Sequence, residues 1–461
     1  MRRLFSATCI LLALSGCAVG PDYERPEIDA PEDFREQVDQ GETFANASWW
    51  NVFQDDELNR LIGVALEESK DLAIAAARVE EARARAGFVR GDFYPQIGVG
   101  ASGQRGNTAE QFIPGIGIQD NYALTADLAW EIDLFGRIRR SSEAARADLL
   151  ASEYTRRTVY IALIADVANA YFLIRDLDAR VEIASRTLAT RQDSTKLILA
   201  RFEMGTTPML DVNQAEIQEA TAAANLASFE RGLVQAENLL SILLGRNPGI
   251  IGRGDSLVDQ VLPPSIPAGL PSDLLERRPD ILAAEQQLAA QVARIGVAQA
   301  LRFPQLSLTG TAGLASNDLS ELIDSNASIW NLGANLFQPL FTGGKNKQRV
   351  EIEKAKAEQL LQQYELTILQ SFREVEDALV AIRTYRDESA AREKQTRAAT
   401  NAAMLSRARY NGGVTSFLEV LDSERSLFQA ELATSEVRRA RLESIVALYK
   451  ALGGGWLAEE P

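Results

Sequence analysis

The chain has 461 residues and a formal net charge of −16, a balance that argues against nucleic acid or anionic headgroups as its main partner. It contains no histidine and only two cysteines, Cys9 and Cys17. The commonest general base and metal ligand are therefore missing, and neither a disulfide framework nor a paired-cysteine metal site can form in the rest of the chain. With no glycine-rich phosphate loop and no convergent catalytic set, neither an enzyme nor a cofactor or metal site is expected.

Met1-Arg2-Arg3 is basic, Leu4 to Leu14 is mostly apolar, and Leu14-Ser15-Gly16-Cys17 follows. Residues 1–16 read as a secretory signal, and the ending is similar to the lipobox of bacterial lipoproteins, with Cys17 as the site of lipidation by a diacylglycerol and an N-acyl chain. The alternative is an ordinary signal with an incidental cysteine. Buried acyl chains contribute about 0.8 kcal/mol per methylene. Ala18 rather than aspartate after the cysteine implies, by that resemblance, sorting to the outer membrane. Residues 17–50, with Pro21, Pro26 and Pro31 among polar residues, read as an extended tether that lets the anchor lie away from the folded body.

Residues 51–245 form a first repeat. Asp55 to Arg90 carries a helical apolar period, from Leu58, Leu61 and Ile62 to Val79. At Phe93-Tyr94-Pro95-Gln96-Ile97 the period shortens to two; Gly103 to Asp120 reads as a loop. From Tyr122 the alternation is clean, with Tyr122, Leu124, Ala126, Leu128 and Trp130 on one face and Thr125, Asp127 and Glu131 on the other. Such a strand suits a barrel wall, apolar out and polar in, or a half-exposed strand of a soluble sheet. After Gly136 a helix is predicted to about Arg201, with a heptad seam from Leu163 to Leu188. No run approaches the 18 or more apolar residues of a spanning helix. A return helix follows from about Pro208 to Leu244.

Residues 246–278, rich in proline and glycine, join this repeat to a second over 279–453, with a tail at 454–461. The second repeat has a helix from Pro279 to Leu301, a strand entry at Arg302-Phe303-Pro304-Gln305, a loop from Ser316 to Ser328, and alternation from Ile329 to Phe341. A long helix to about Arg407 and a last helix to Leu452 complete it. The junctions of the two hairpins match: Ala200 to Glu216 (ARFEMGTTPMLDVNQAE) returns as Ala408 to Glu424 (ARYNGGVTSFLEVLDSE). Each reads as a helix stop, a turn and a helix start. The fold class is therefore mostly α, two long helical hairpins plus four barrel-like strands. Four strands cannot close a barrel, so they form either an ordinary soluble sheet or, pooled among several chains, one barrel.

The order of these motifs resembles the outer membrane efflux protein family, the TolC-like channels in their OprM/NodT-type lipoprotein branch. The residues carrying the resemblance are Cys17-Ala18-Val19-Gly20-Pro21-Asp22-Tyr23, Trp130-Glu131-Ile132-Asp133-Leu134-Phe135-Gly136-Arg137, Arg277-Arg278-Pro279-Asp280-Ile281, the Phe303-Pro304-Gln305 strand entry and both turns. The resemblance implies a homotrimer with a twelve-stranded outer-membrane barrel and a helical tunnel extending into the periplasm. It implies a periplasmic adaptor and an inner-membrane pump, of the proton-driven RND type, as partners.

By the same resemblance Glu419 and Asp422 match an acidic channel gate, and Asp211 with Tyr410 an inter-helix latch. Gly205, Thr206, Thr207, Gly413, Val414 and Thr415 are the tips that would meet the adaptor. Simpler roles stay open: an acid in a first helical turn stabilises that terminus by about 0.3–1 kcal/mol, and the glycines and threonines must make the turns in any case. Met209 and Phe417 read as packing residues. A type I protein-secretion duct and a structural coiled-coil lipoprotein are the competing functions.

Overall fold

The computed structural model describes residues 18–36, 48–107, 118–262 and 271–454; the signal segment, Cys17 and the tail from 455 lie outside the described residues. The helices are α1 (Asp56–Glu68), α2 (Lys70–Gly91), α3 (Arg137–Glu203), α4 (Met209–Leu243), α5 (Pro279–Ala300), α6 (Lys345–Asn411) and α7 (Phe417–Ala451). The strands are β1 (Gln96–Asn107), β2 (Ile118–Ile132), β3 (Gln305–Ser316) and β4 (Ser328–Phe337). The duplication holds to the residue: α3 and α6 have 67 residues each and α4 and α7 have 35 each. At 1.5 Å per residue each long helix is about 100 Å.

The chain divides into two compact units: Met1–Glu27 with Arg78–Glu153 and Ala283–Glu365, and Ile28–Ala77 with Tyr154–Leu282 and Leu366–Pro461. In the first, the strands form one antiparallel sheet in the order β1-β2-β3-β4. Its register aligns whole rows of like residues. Ile97, Leu128, Gly310 and Leu332 stand opposite one another, as do Val99, Ala126, Ala312 and Trp330. The other face aligns Asp127, Thr311 and Asn331, where the Asp127 carboxylate accepts from the hydroxyls of Thr125 (3.0 Å) and Thr311 (2.7 Å). A period of two in each strand becomes an apolar and a polar surface only because the pairing is in phase.

The exit from β2 shows why the Trp130–Arg137 motif has its residue types. Asp133 accepts from the backbone N–H groups of Ile138 (3.2 Å) and Arg139 (2.9 Å), capping α3. Glu131 takes both prongs of the Arg137 guanidinium at 2.7 and 2.8 Å. The Phe135 ring stacks on Phe303 at 4.9 Å, joining the end of β2 to the start of β3.

The second unit holds the main core, in which Trp49, Phe53, Leu58, Leu61, Ile62, Val167, Tyr171, Phe172, Ile174 and Leu240 are buried. Trp49 stacks on Tyr449 at 5.0 Å. Asp55 caps α1 through Glu57 and Leu58, and also accepts from the Tyr171 hydroxyl and the Gln260 amide, both at 2.6 Å. The Arg277–Ile281 motif works in the same unit. Arg278 is buried, pairs with Asp280 and Glu374, and donates to the carbonyl of Ala451 at 2.9 Å, closing the C-terminal end of α7.

Five expectations change. The segment after Cys17 is no free tether: Val19 donates to the Phe135 carbonyl at 3.1 Å, and Arg140 reaches the carbonyls of Val19 and Gly20 and pairs with Asp22. Farther along, Phe34 enters an apolar cluster with Val375 and Leu379. Composition marked the segment as extended but could not show that a buried arginine waits for its carbonyls. The helix expected over Asp55–Arg90 is two, because Ser69 takes an extended ψ of 131° between them. The loop expected from Gly103 shrinks: residues 103–107 and 118–120 pair as strand despite their glycines. The alternation expected to Phe341 ends as strand at Phe337, shortly before Pro339, which cannot donate to a ladder. Finally, α3 is long and apolar enough to cross a membrane by length and composition, but 56% of that stretch is buried within the protein.

Candidate functional site

Both hairpin turns lie in the second unit and share one backbone solution. Gly205 has φ +72° and Gly413 φ +74°, the left-handed region that ends a helix at little cost only for glycine. In the first turn Gly205 N–H donates to Phe202 O (2.8 Å) and Thr206 N–H to Arg201 O (2.9 Å); in the second Gly413 donates to Tyr410 O (3.0 Å) and Val414 to Arg409 O (3.1 Å). Pro208 and Ser416 then start the return helices at φ −78° with ψ 158° and 157°. Gly205, Thr206, Gly413 and Val414 are exposed and Thr207 and Thr415 half-exposed.

The acids follow the same repeat. Thr207 donates to Asp211 at 2.7 Å, and Thr415 donates to Glu419. Glu419 also lies 3.7 Å from Arg409, while Asp422 pairs with Arg425 one turn on. Both Glu419 and Asp422 are exposed, so they face whatever lies beyond this one chain. Each sits beside a cation of its own chain, which offsets part of its charge.

The structure does not join Asp211 to Tyr410 by any hydrogen bond among the described residues. The Tyr410 ring instead lies under the Arg201 guanidinium at 4.8 Å and against Phe417 at 5.4 Å. Phe417 is buried with Ile198, Val212, Ala215, Val420 and Leu421, as a packing residue should be. Met209 is half exposed and does not share that role; the small tip core is completed by the second turn's aromatic.

Sequence reasoning missed the network behind the turns. Glu424 pairs with Arg191 from α3 and takes two bonds from Arg407 of α6 at 3.0 and 2.6 Å, and Arg407 also donates to Ser194 at 2.9 Å. The Arg191 side chain is only 4% exposed. Burial lowers the pKa of Arg191, Glu424 raises it and Arg407 lowers it again, leaving it below the usual arginine range. One carboxylate thus ties α3, α6 and α7 together just behind both turns. The only trace in the sequence is that Glu216 and Glu424 close the two repeated stretches, since the arginines come from distant positions.

A duplicated helical hairpin together with an amphipathic four-stranded sheet is the plan of an outer-membrane channel subunit. The family profile described as "Outer membrane efflux protein" matches the chain twice, over residues 61–246 and 270–454. The cation efflux system protein CusC of Escherichia coli K12 is 34% identical over 458 residues, covering 97% of this chain and 98% of its own. The solvent efflux pump outer membrane protein SrpC of Pseudomonas putida is 37% identical over 457 residues, 97% of each chain. The open state of the Neisseria gonorrhoeae MtrE outer membrane channel superposes with a TM-score of 0.85 at 33% identity, covering 96% of this chain and all of that one. The chain belongs to the outer membrane efflux protein family, and it is the outer-membrane component of an efflux system.

Proposed function

We propose that three copies of this chain form a passive exit duct for small molecules, in a tripartite system completed by a periplasmic adaptor and an inner-membrane pump of the RND type. The observation that carries this reading is the sheet. It has one apolar face, four strands, and two outer edges, on β1 and β4, that no described strand covers. Lipid does not tolerate an open edge, and about eight strands are the least that close a barrel. Three copies supply twelve, and the polar rows, with Asp127 and Thr311, would line the lumen. The duct catalyses no reaction and needs no cofactor.

In this reading residues 1–16 are removed and Cys17 is acylated. Residues 51–245 and 279–453 are the two repeats, joined by 246–278. The tips Gly205, Thr206, Thr207, Gly413, Val414 and Thr415 meet the adaptor. Glu419 and Asp422 of three chains converge as the gate, where like charges repel and attract cations. Asp211 and Tyr410 latch neighbouring helices. Asp211 and Glu419 are each held by a turn threonine, which supports a role that depends on their orientation. Purified protein in planar bilayers should give channels whose conductance rises in the Glu419→Ala, Asp422→Ala double variant. An unchanged conductance in intact trimers would remove the gate assignment.

A further inference from the structure

The apolar face of the sheet is not smooth. Gly310 carries no side chain at its centre, and its neighbours close in on the bare backbone: a Cβ there would meet Leu332 at 3.2 Å and the Leu128 Cβ at 3.6 Å. Ala126 and Ala312 extend this floor one row farther, and Leu128, Trp330 and Leu332 rise around it, forming a groove with almost entirely apolar walls. Trp330 and Leu332 are each 79% exposed. The groove offers a hydrocarbon chain almost nothing polar.

The first described residues of the chain are fixed just beyond the end of β2. Ala18 packs so closely on Gly136, which has φ +80°, that a side chain at Gly136 would lie 2.7 Å from it. Val19 is bonded to Phe135, and the Arg140 guanidinium, whose side chain is 6% exposed, holds Val19, Gly20 and Asp22. A leash needed only to retain a lipid would function without these contacts. Cys17 is one peptide step, about 3.8 Å, before Ala18. Leu128 lies eight residues before Gly136, four of them within β2, so it is at most about 26 Å from the clamp at 3.3 Å per residue. That span is shorter than a bilayer's hydrocarbon core, about 30 Å thick.

We propose that an acyl chain carried on Cys17 occupies the groove over Gly310, Ala126 and Ala312, so that the lipid is a packed part of the sheet surface. The proposal rests on the acylation of Cys17. Because the clamp already fixes the head of the lipid, the tethered chain enters with less loss of freedom than a diffusing phospholipid, which must give up its lateral motion.

The test uses the full-length protein in its native membrane, with a benzophenone amino acid in place of Trp330 or Leu332, both exposed, and of Ile118 at the far end of β2 as control. After irradiation the photoproducts are read by mass spectrometry. The expected result is a dominant adduct between position 330 or 332 and the acylated Cys17 peptide, absent at 118. Loss of that adduct is expected in Gly310→Leu and in Ala312→Leu, which fill the floor independently. Adducts with free phospholipid alone, or an adduct that survives both filled floors, would overturn the proposal. The mass of the N-terminal peptide separates the two layers: an unmodified Cys17 removes the acylation reading, whereas an acylated Cys17 without the adduct removes only the groove.

Discussion

Glu424 and Asp55 are both carboxylates inside the second unit, and they fail in different ways when removed. Glu424 faces two arginines, one of them buried. Truncating it leaves an uncompensated cation, which costs about 3–5 kcal/mol, whereas loss of an exposed pair such as Asp422 with Arg425 costs about 0–1 kcal/mol. Glu424→Ala should therefore lower the denaturation midpoint far more than Asp422→Ala, as chemical unfolding followed by circular dichroism would record. For Asp55, burial opposes the charge, but bonds from Tyr171, the Leu58 N–H, Gln260 and the Glu57 N–H outweigh it and hold the carboxyl below the usual range. Its folded pKa lies below its unfolded one, about 3.9. The stabilisation is thus complete above that value and is lost as pH falls through the folded pKa. Asp55→Ala should cost about 1–3 kcal/mol at pH 7, and the gap to the unaltered protein should narrow in unfolding curves below about pH 4. A gap independent of pH would mean that the charge of Asp55 does not contribute.

Among the elements, the two hairpins are equal in length and unequal at their ends. Both turns use the same glycine geometry, but only the second places an aromatic, Phe417, in the tip core, while the first leaves Met209 facing out. A charge introduced at Val414 would alter the exposed surface without entering that core. Aspartate at Val414 should abolish cross-linking to the adaptor while trimers persist on unheated gels; cross-linking that survives would move the contact elsewhere on the helices. The heptad seam of α3 is legible in advance because burial at Leu163, Val167, Ala170 and Ile174 follows helical spacing. The break at Ser69 is not, because an apolar period continues across it.

For the whole molecule, the consequence of four strands is obligatory assembly. Detergent extracts should show a heat-modifiable trimer on gels and a long cylinder by electron microscopy. A soluble monomer would be incompatible with the apolar rows through Leu128 and Trp330. The segment that follows Cys17 is also part of the folded body. Its contacts with Phe135 and Arg140 hold residues 18–22 in place, where an extended tether would have left them free.

Local chemistry written along the chain was enough to reveal the duplication, both hairpins, the strand faces and the exposed acids at the turns. Periodicity and turn residues act over a few positions, and each repeat confirms the other. The Glu424 network, the clamp on residues 18–22 and the groove over Gly310 were not legible. Each depends on residues brought together from far apart, 233 positions in the case of Arg191 and Glu424. No local pattern records which buried charge will meet which, or which glycine will face a strand from the other repeat; strand register and helix packing decide both.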